Sequence, residues 1–216
     1  MEDDNTRKRI LNSSKDLFQK FGIRSITMDD IAHHLGISKK TIYQHFSDKD
    51  DIVTLAIKHY VAKQKSELLE LKKNSKDAVE LLIGVSRYVQ KDLTHNTSAL
   101  LFDLQKYHTK AWNIITEFKN GFLADFVQEV LNEGIGEGLF RRDIDVSVLA
   151  RMRLEEITLS HSESVFPSER FGHVNVSSAL LDHFVHAVCT EKGKRRYKRI
   201  KEGNTNLKGI KENYEV

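Results

Sequence analysis

One proline in 216 residues, Pro167, is the tightest constraint on this chain. Proline and glycine interrupt helices, and only 11 glycines accompany that proline. The apolar residues keep a helical rhythm over almost the whole length. Ile10, Leu11, Leu17, Phe18 and Phe21 fall on one face of a helix that Gly22 ends. Two short helices follow. Thr27 caps the first, which buries Ile31, Ala32 and Leu35; Ser38 caps the second, which contains Ile42, Tyr43 and Phe46. A longer helix starts at Ser47 or Asp48 and runs on past Leu71 to a break at Asn74-Ser75. Further periodic segments run from Val79 to Leu93, Leu100 to Leu104, Ala111 to Val130, Val148 to Leu159 and Leu180 to Val188. Breaks are expected at His95-Asn96-Thr97, at the three glycines of 134–138 and in a loop over 164–174. Strand-like alternation is nowhere sustained, so the expected fold is all-α with about nine helices.

Composition narrows the function classes. Charged residues make up 30% and the mean hydropathy is −0.46, and no apolar run reaches the roughly 18–20 residues of a spanning helix. The acidic start Met1-Glu2-Asp3-Asp4 is unlike a secretory signal, so a cytoplasmic location is expected. A single cysteine, Cys189, excludes an intrachain disulfide and a cysteine-cluster zinc site. The net charge of +3 looks uninformative until it is divided. Residues 1–4 carry −3, residues 5–49 carry +5, residues 50–191 carry −5 and residues 192–216 carry +6. A basic N-terminal domain suits a nucleic-acid partner, and the acidic middle would be repelled by phosphates.

Residues 26–50 carry the functional signal. Two short helices joined by a tight turn at Leu35-Gly36-Ile37 are what a helix-turn-helix requires, since the second helix must protrude. Small Ala32 lets the helices cross closely, and Gly36 tolerates a left-handed backbone. Lys39 and Lys40 stand at the start of the second helix, where backbone N–H groups also favour phosphate. Thr41, Tyr43, Gln44 and His45 offer donors and acceptors to base edges or phosphates. Thr27 and Lys49 flank the motif and complete the expected DNA-binding set.

The segment Thr27-Met28-Asp29-Asp30-Ile31-Ala32, followed by Leu35 to Phe46 and Asp48-Lys49-Asp50, resembles the TetR family of bacterial transcriptional regulators almost position by position. Lys40 departs from it, standing where many members have a small residue. Gly138 to Val146 looks like the family's link before its last two helices. The resemblance implies a homodimer with a helix-turn-helix DNA-binding domain over 1–49, a helical ligand-sensing and dimerisation domain over 50–191, and a basic, flexible tail over 192–216. It implies a palindromic double-stranded DNA operator, an unidentified small-molecule effector, no membrane partner and repression as the default. Two recognition helices would enter major grooves about 34–36 Å apart. An effector coupling of about 1–3 kcal/mol would change operator affinity about 5–150-fold, with the long fourth helix as the lever.

The effector cannot be read from the sequence, but Tyr88, Phe102, His108, Trp112, Phe118 and Phe122 are candidates to line its pocket. Ordinary core packing is the competing reading for each. Leu180, Leu181, Phe184, Val185 and Val188 form a stripe assigned to the dimer interface, with packing inside the subunit as the alternative.

Other functions find less support. His183 and His186 are i, i+3 on one helix, with His161, His173 and Cys189 near in sequence, but zinc needs three or four convergent ligands, so no metal site is assigned. No catalytic residues are assigned either, since Glu155 and Glu156 diverge and no nucleophile elbow, phosphate loop or HExxH occurs. No cofactor is expected beyond the effector. A helical DNA-binding protein without an effector and a metal-dependent helical enzyme remain as alternatives. The basic run Lys192 to Arg199 reads as solvated, or as a non-specific nucleic-acid contact.

Overall fold

The computed structural model describes residues 2–93, 98–160 and 162–211. The expected break at His95-Asn96-Thr97 and the residue His161 lie outside them. Every regular element among the described residues is a helix: α1 (Glu2–Phe21), α2 (Met28–Leu35), α3 (Lys39–His45), α4 (Lys49–Asn74), α5 (Ala78–Leu93), α6 (Ser98–Tyr107), α7 (Thr109–Phe118), a π-helical segment (Lys119–Leu123), α8 (Ala124–Gly136), α9 (Val146–Leu159), α10 (Ser168–Phe171), α11 (His173–Val188) and α12 (Glu191–Lys211). The chain divides into two compact units, residues 1–67 with 91–120 and residues 68–90 with 121–216.

In the first unit, Ile10, Ile31, Ile42 and Ile52 are completely buried and bring α1, α2, α3 and α4 onto one core, with Leu104 of α6 and Ala111 of α7 completing it. Each buried isoleucine contributes about 1.5–3 kcal/mol. Asp48 caps α4 by accepting from the Asp51 amide at 2.8 Å. Two polar contacts add to this packing. Asp103 of α6 accepts from the Arg24 amide at 3.1 Å, and Asp50 of α4 lies 2.8 Å from Nδ1 of His108. Helix α1 starts eight residues before its first buried residue, Ile10. Its leading turns carry Asp3 and Asp4, which suit the positive end of the helix dipole.

In the second unit α9 packs on α8 and on α11. Phe126, Leu131, Leu154, Phe184, Val185 and Val188 are buried there. The loop before α9 is stitched to the end of α11: Arg141 N donates to Val188 O and Thr190 N to Leu139 O, both at 2.9 Å. Cys189 is buried beside this stitch, and burial pushes its thiol up to about 12, so it is a core residue and not a thiolate.

Two expectations are corrected here. Of the segment read as a flexible tail over 192–216, residues 192–211 belong to α12, which buries Tyr197, and 212–216 lie outside the described residues. The dimer stripe also fails as an interface. Phe184, Val185 and Val188 are 0% exposed within a single chain, so they have no surface left to give a partner. Leu181 is buried with them, and only Leu180 remains half-exposed. The outward apolar positions are instead Val148, Met152 and Leu159 on α9 and Val174 on α11.

Candidate nucleic-acid interface

The helix-turn-helix is fixed by its caps. Thr27 Oγ1 accepts from the Asp30 amide at 3.2 Å, and the Asp30 carboxylate accepts from the Thr27 amide at 2.8 Å, a reciprocal box that starts α2. The Thr27 hydroxyl and then the Thr27 amide, both donating to the Asp30 carboxylate, hold that carboxyl below its ordinary pKa. The helix ends with Gly36 at φ +64°. Ile37 N donates to Ala32 O at 3.1 Å and Gly36 N to His33 O at 3.2 Å, the paired bonds of a Schellman turn. Ser38 then caps α3 by accepting from the Thr41 amide at 3.0 Å.

No neighbouring atom crowds a Cβ built on Gly36, so its backbone angle alone demands glycine. Gly36→Ala is expected to cost about 1–2 kcal/mol, and Gly36→Asn less, because asparagine tolerates the left-handed region. Urea unfolding of the two variants checks the order.

Ile42 pins α3 to the core, and Phe46 anchors its end beneath the Arg7 guanidinium, 5.2 Å from the ring centroid. The opposite face is open. Lys39, Lys40, Tyr43 and Gln44 are exposed, Tyr43 to 49%. A tyrosine half in water on a seven-residue helix gains little from packing, and its ring and hydroxyl are presented outward. Lys39 pairs with Asp29 of α2 at 2.9 Å, and that bond raises its pKa. The pair fixes where the ammonium sits.

The other expected DNA-binding residues are placed differently. Thr41 Oγ1 is 2.8 Å from Ser38 Oγ and serves the cap. Thr27 is exposed, but its hydroxyl belongs to the capping box. The His45 side chain is only 8% exposed and turns toward Asp3 of α1, 3.4 Å away. Lys49 is a strut: its ammonium donates to Ile23 O at 3.0 Å and Ile26 O at 2.8 Å, and burial lowers its pKa. Those two carbonyls belong to the loop between α1 and α2, so Lys49 holds the motif's entry in place and does not reach out for phosphate.

The six side chains chosen for an effector pocket are distributed over both units. Phe102, His108, Trp112 and Phe118 belong to the first unit, and Tyr88 and Phe122 to the second. Phe102 is 55% exposed with the Lys106 ammonium over its ring. His108 is buried against Asp50, Trp112 packs on the unit's core, and Phe118 is buried under Lys65. Phe122 stacks on Phe126 at 6.0 Å, in the π-helical segment that splits the helix expected over 111–130. In the second unit a polar crevice between α5, α9 and α11 is lined by Ser86, Gln90, Arg153, Glu156, Ser160 and Ser177 among others. It has about 10 Å³ free, the room of one water. Sequence reasoning missed the pairs Asp3–His45, Asp29–Lys39 and Asp50–His108; the acidic first turn of α4 was a hint of the last.

Residues 10–55, from the buried part of α1 to the first turns of α4, match the model of bacterial regulatory proteins, tetR family. That segment is a TetR-family helix-turn-helix. An uncharacterized HTH-type regulator of Bacillus subtilis, YvaF, is 31% identical over 51% of this chain and 58% of its own length. The HTH-type transcriptional repressor KstR2 of Rhodococcus jostii is 28% identical over 67% of this chain and 72% of its own. The chain thus spans a little over half of the first relative and about three quarters of the second. Its fold matches that of a transcriptional regulator from Saccharomonospora viridis solved with choline, at a TM-score of 0.73 and 21% identity, over 87% of this chain and all of the other.

Proposed function

We propose that this chain is a ligand-responsive transcriptional regulator, a homodimer that represses by binding a near-palindromic operator through α3 and leaves it when a small molecule binds. The observation that carries this reading is the open face of α3, where Lys39, Lys40, Tyr43 and Gln44 stand clear of a helix locked by Ile42 and two caps. The named repressor among its relatives supports the sign of regulation. It acts by binding and not by catalysis, as TetR-family regulators do.

The dimer face in this reading is the exposed stripe Val148, Met152 and Leu159 of α9 with Val174 of α11, in place of the buried stripe. These positions are spaced to share a face of α9, and apolar patches of this kind mark association surfaces. The regulatory signal enters the DNA-binding unit at the Asp50–His108 contact, which ties the α6–α7 junction to the first turn of α4. Trp112, whose amide donates to His108 O at 2.9 Å, stands one turn from that junction and is the member of the expected pocket best placed, with His108, to feel an effector.

In-vitro selection from random duplexes tests the reading. The expected product is a near-palindrome whose half-sites lie about one helical turn apart or somewhat more. Its affinity is expected to fall steeply with salt, since a dimer brings two copies of the +5 segment to the phosphates. Enrichment of no sequence would contradict the proposal. Operator affinity unmoved by every metabolite in a screen would favour the effector-free alternative.

A further inference from the structure

The basic run that reads as solvated in the sequence forms one wall of a groove. Helix α12 is seated firmly. Thr190 caps it by accepting from the Gly193 amide at 3.2 Å, and the Thr190 hydroxyl itself donates to Gly138 O at 2.9 Å. Gly193 lies so close to the Leu139 carbonyl that a Cβ would collide with it. Tyr197 is 5% exposed. Arg196 is clamped by Asp77, Nε to Oδ2 at 2.6 Å, and by Glu80, Nη2 to Oε2 at 2.8 Å.

This seat leaves a groove of about 660 Å³ between α12, the start of α5 and the loop after α8, lined by Lys76, Asp77, Glu137, Leu139, Lys192, Arg195, Arg196 and Arg199. Its carboxylates are already engaged. Asp77 holds Arg196, and Glu137 accepts from the Ala78 amide at 3.0 Å. Lys192 donates to Glu137 O at 2.9 Å, and Glu191 pairs with Lys194. Lys76, Arg195 and Arg199 make no ion pair within 4 Å among the described residues. Arg195 and Arg199 are one turn apart, about 5–6 Å between Cβ atoms, so both guanidinium forks serve one side of the groove. Five cations against two engaged carboxylates leave a surplus of positive charge on a rigid frame.

We infer that this groove binds a small polyphosphorylated ligand, with Arg195, Arg199 and Lys76 as its phosphate-holding residues. Guanidinium forks match phosphate oxygens bidentately, and several cations converging on one concavity favour a ligand of high negative charge. The volume falls in the range of small-molecule sites, about 300–1,000 Å³. A nucleic-acid strand is better served by an extended basic face than by a bounded groove.

Calorimetric titration of the full chain with inorganic tripolyphosphate at about 0.15 M salt tests the site, because weak surface attraction is largely screened there. The wild type is expected to bind one equivalent, and Arg195→Ala with Arg199→Ala to weaken binding by about tenfold or more, the loss of roughly one charge-assisted contact. Arg141→Ala with Arg142→Ala removes equal charge elsewhere and is expected to change nothing. Absence of binding by the wild type, or equal loss in both double variants, would overturn the inference. So would loss of non-operator duplex binding in the α12 variant with tripolyphosphate binding intact. Operator binding is measured in parallel; its loss in the α12 variant is not expected, so the operator reading and this one fail separately.

Discussion

Phe184→Ala is expected to lower the unfolding free energy by about 3–5 kcal/mol, the range for removing a fully buried aromatic ring. The ring is 0% exposed and lies under the Arg153 guanidinium, 5.4 Å from its centroid. The sequence places this residue on a dimer stripe; the structure places it in the core, and the two assignments predict different measurements. A core residue destabilises the chain by an amount independent of protein concentration. An interface residue shifts the midpoint with concentration, because dimerisation is linked to folding by mass action. Met152→Asp on the exposed stripe is expected to do the second and not the first. Thermal unfolding at two concentrations separates the outcomes, at about 2–4 °C per kcal/mol for a chain of this size.

Glu156→Ala is expected to cost about 3–5 kcal/mol, more than the substitution of an ordinary half-exposed glutamate. Arg153 is 5% exposed, and Glu156 Oε2 accepts from its Nη1 at 3.2 Å. Burial weakens the guanidinium's hold on its proton, and the Glu156 carboxylate opposes that shift. Removing the carboxylate strands a charge in a crevice with room for one water. Arg153→Met removes the charge itself, and replacing both members by apolar residues of similar volume is expected to be near neutral. That order, with the single loss at Glu156 exceeding the double change, is the signature of a buried ion pair, and urea unfolding reads it. The Phe184 and Glu156 effects are expected not to add, because Arg153 touches both side chains.

Much of the architecture is legible in the chain. The capping roles of Thr27 and Ser38 and the turn at Gly36 are local matters of one or two hydrogen bonds, and sequence spacing specifies them; at the start of α4 spacing leaves Ser47 or Asp48, and Asp48 is the one that caps. The open face of α3 follows from Ile42 alone, since one buried position orients a seven-residue helix. What spacing does not specify is where a polar side chain finds its partner. Lys49 reads as a phosphate clamp because it is a cation beside the motif; it is turned inward by two carbonyls more than 20 residues before it. His45 is drawn to Asp3 and His108 to Asp50 for the same reason. The stripe on α11 is apolar on the side that meets α9 of its own chain, and periodicity is blind to which chain supplies the cover. The basic run of α12 is likewise unreadable as a groove without the Asp77–Arg196 clamp.

The central claim is that α3 reads operator sequence through its exposed side chains. The most direct measurement is a mobility-shift titration of the selected operator, at fixed salt, with wild type and with Tyr43→Ala combined with Gln44→Ala. Neither side chain is buried, so sedimentation is expected to show an unchanged dimer. Each base contact is worth about 1–3 kcal/mol, so operator affinity is expected to fall at least about tenfold while binding to unrelated duplex hardly changes. Operator affinity equal to the wild type's would contradict the account.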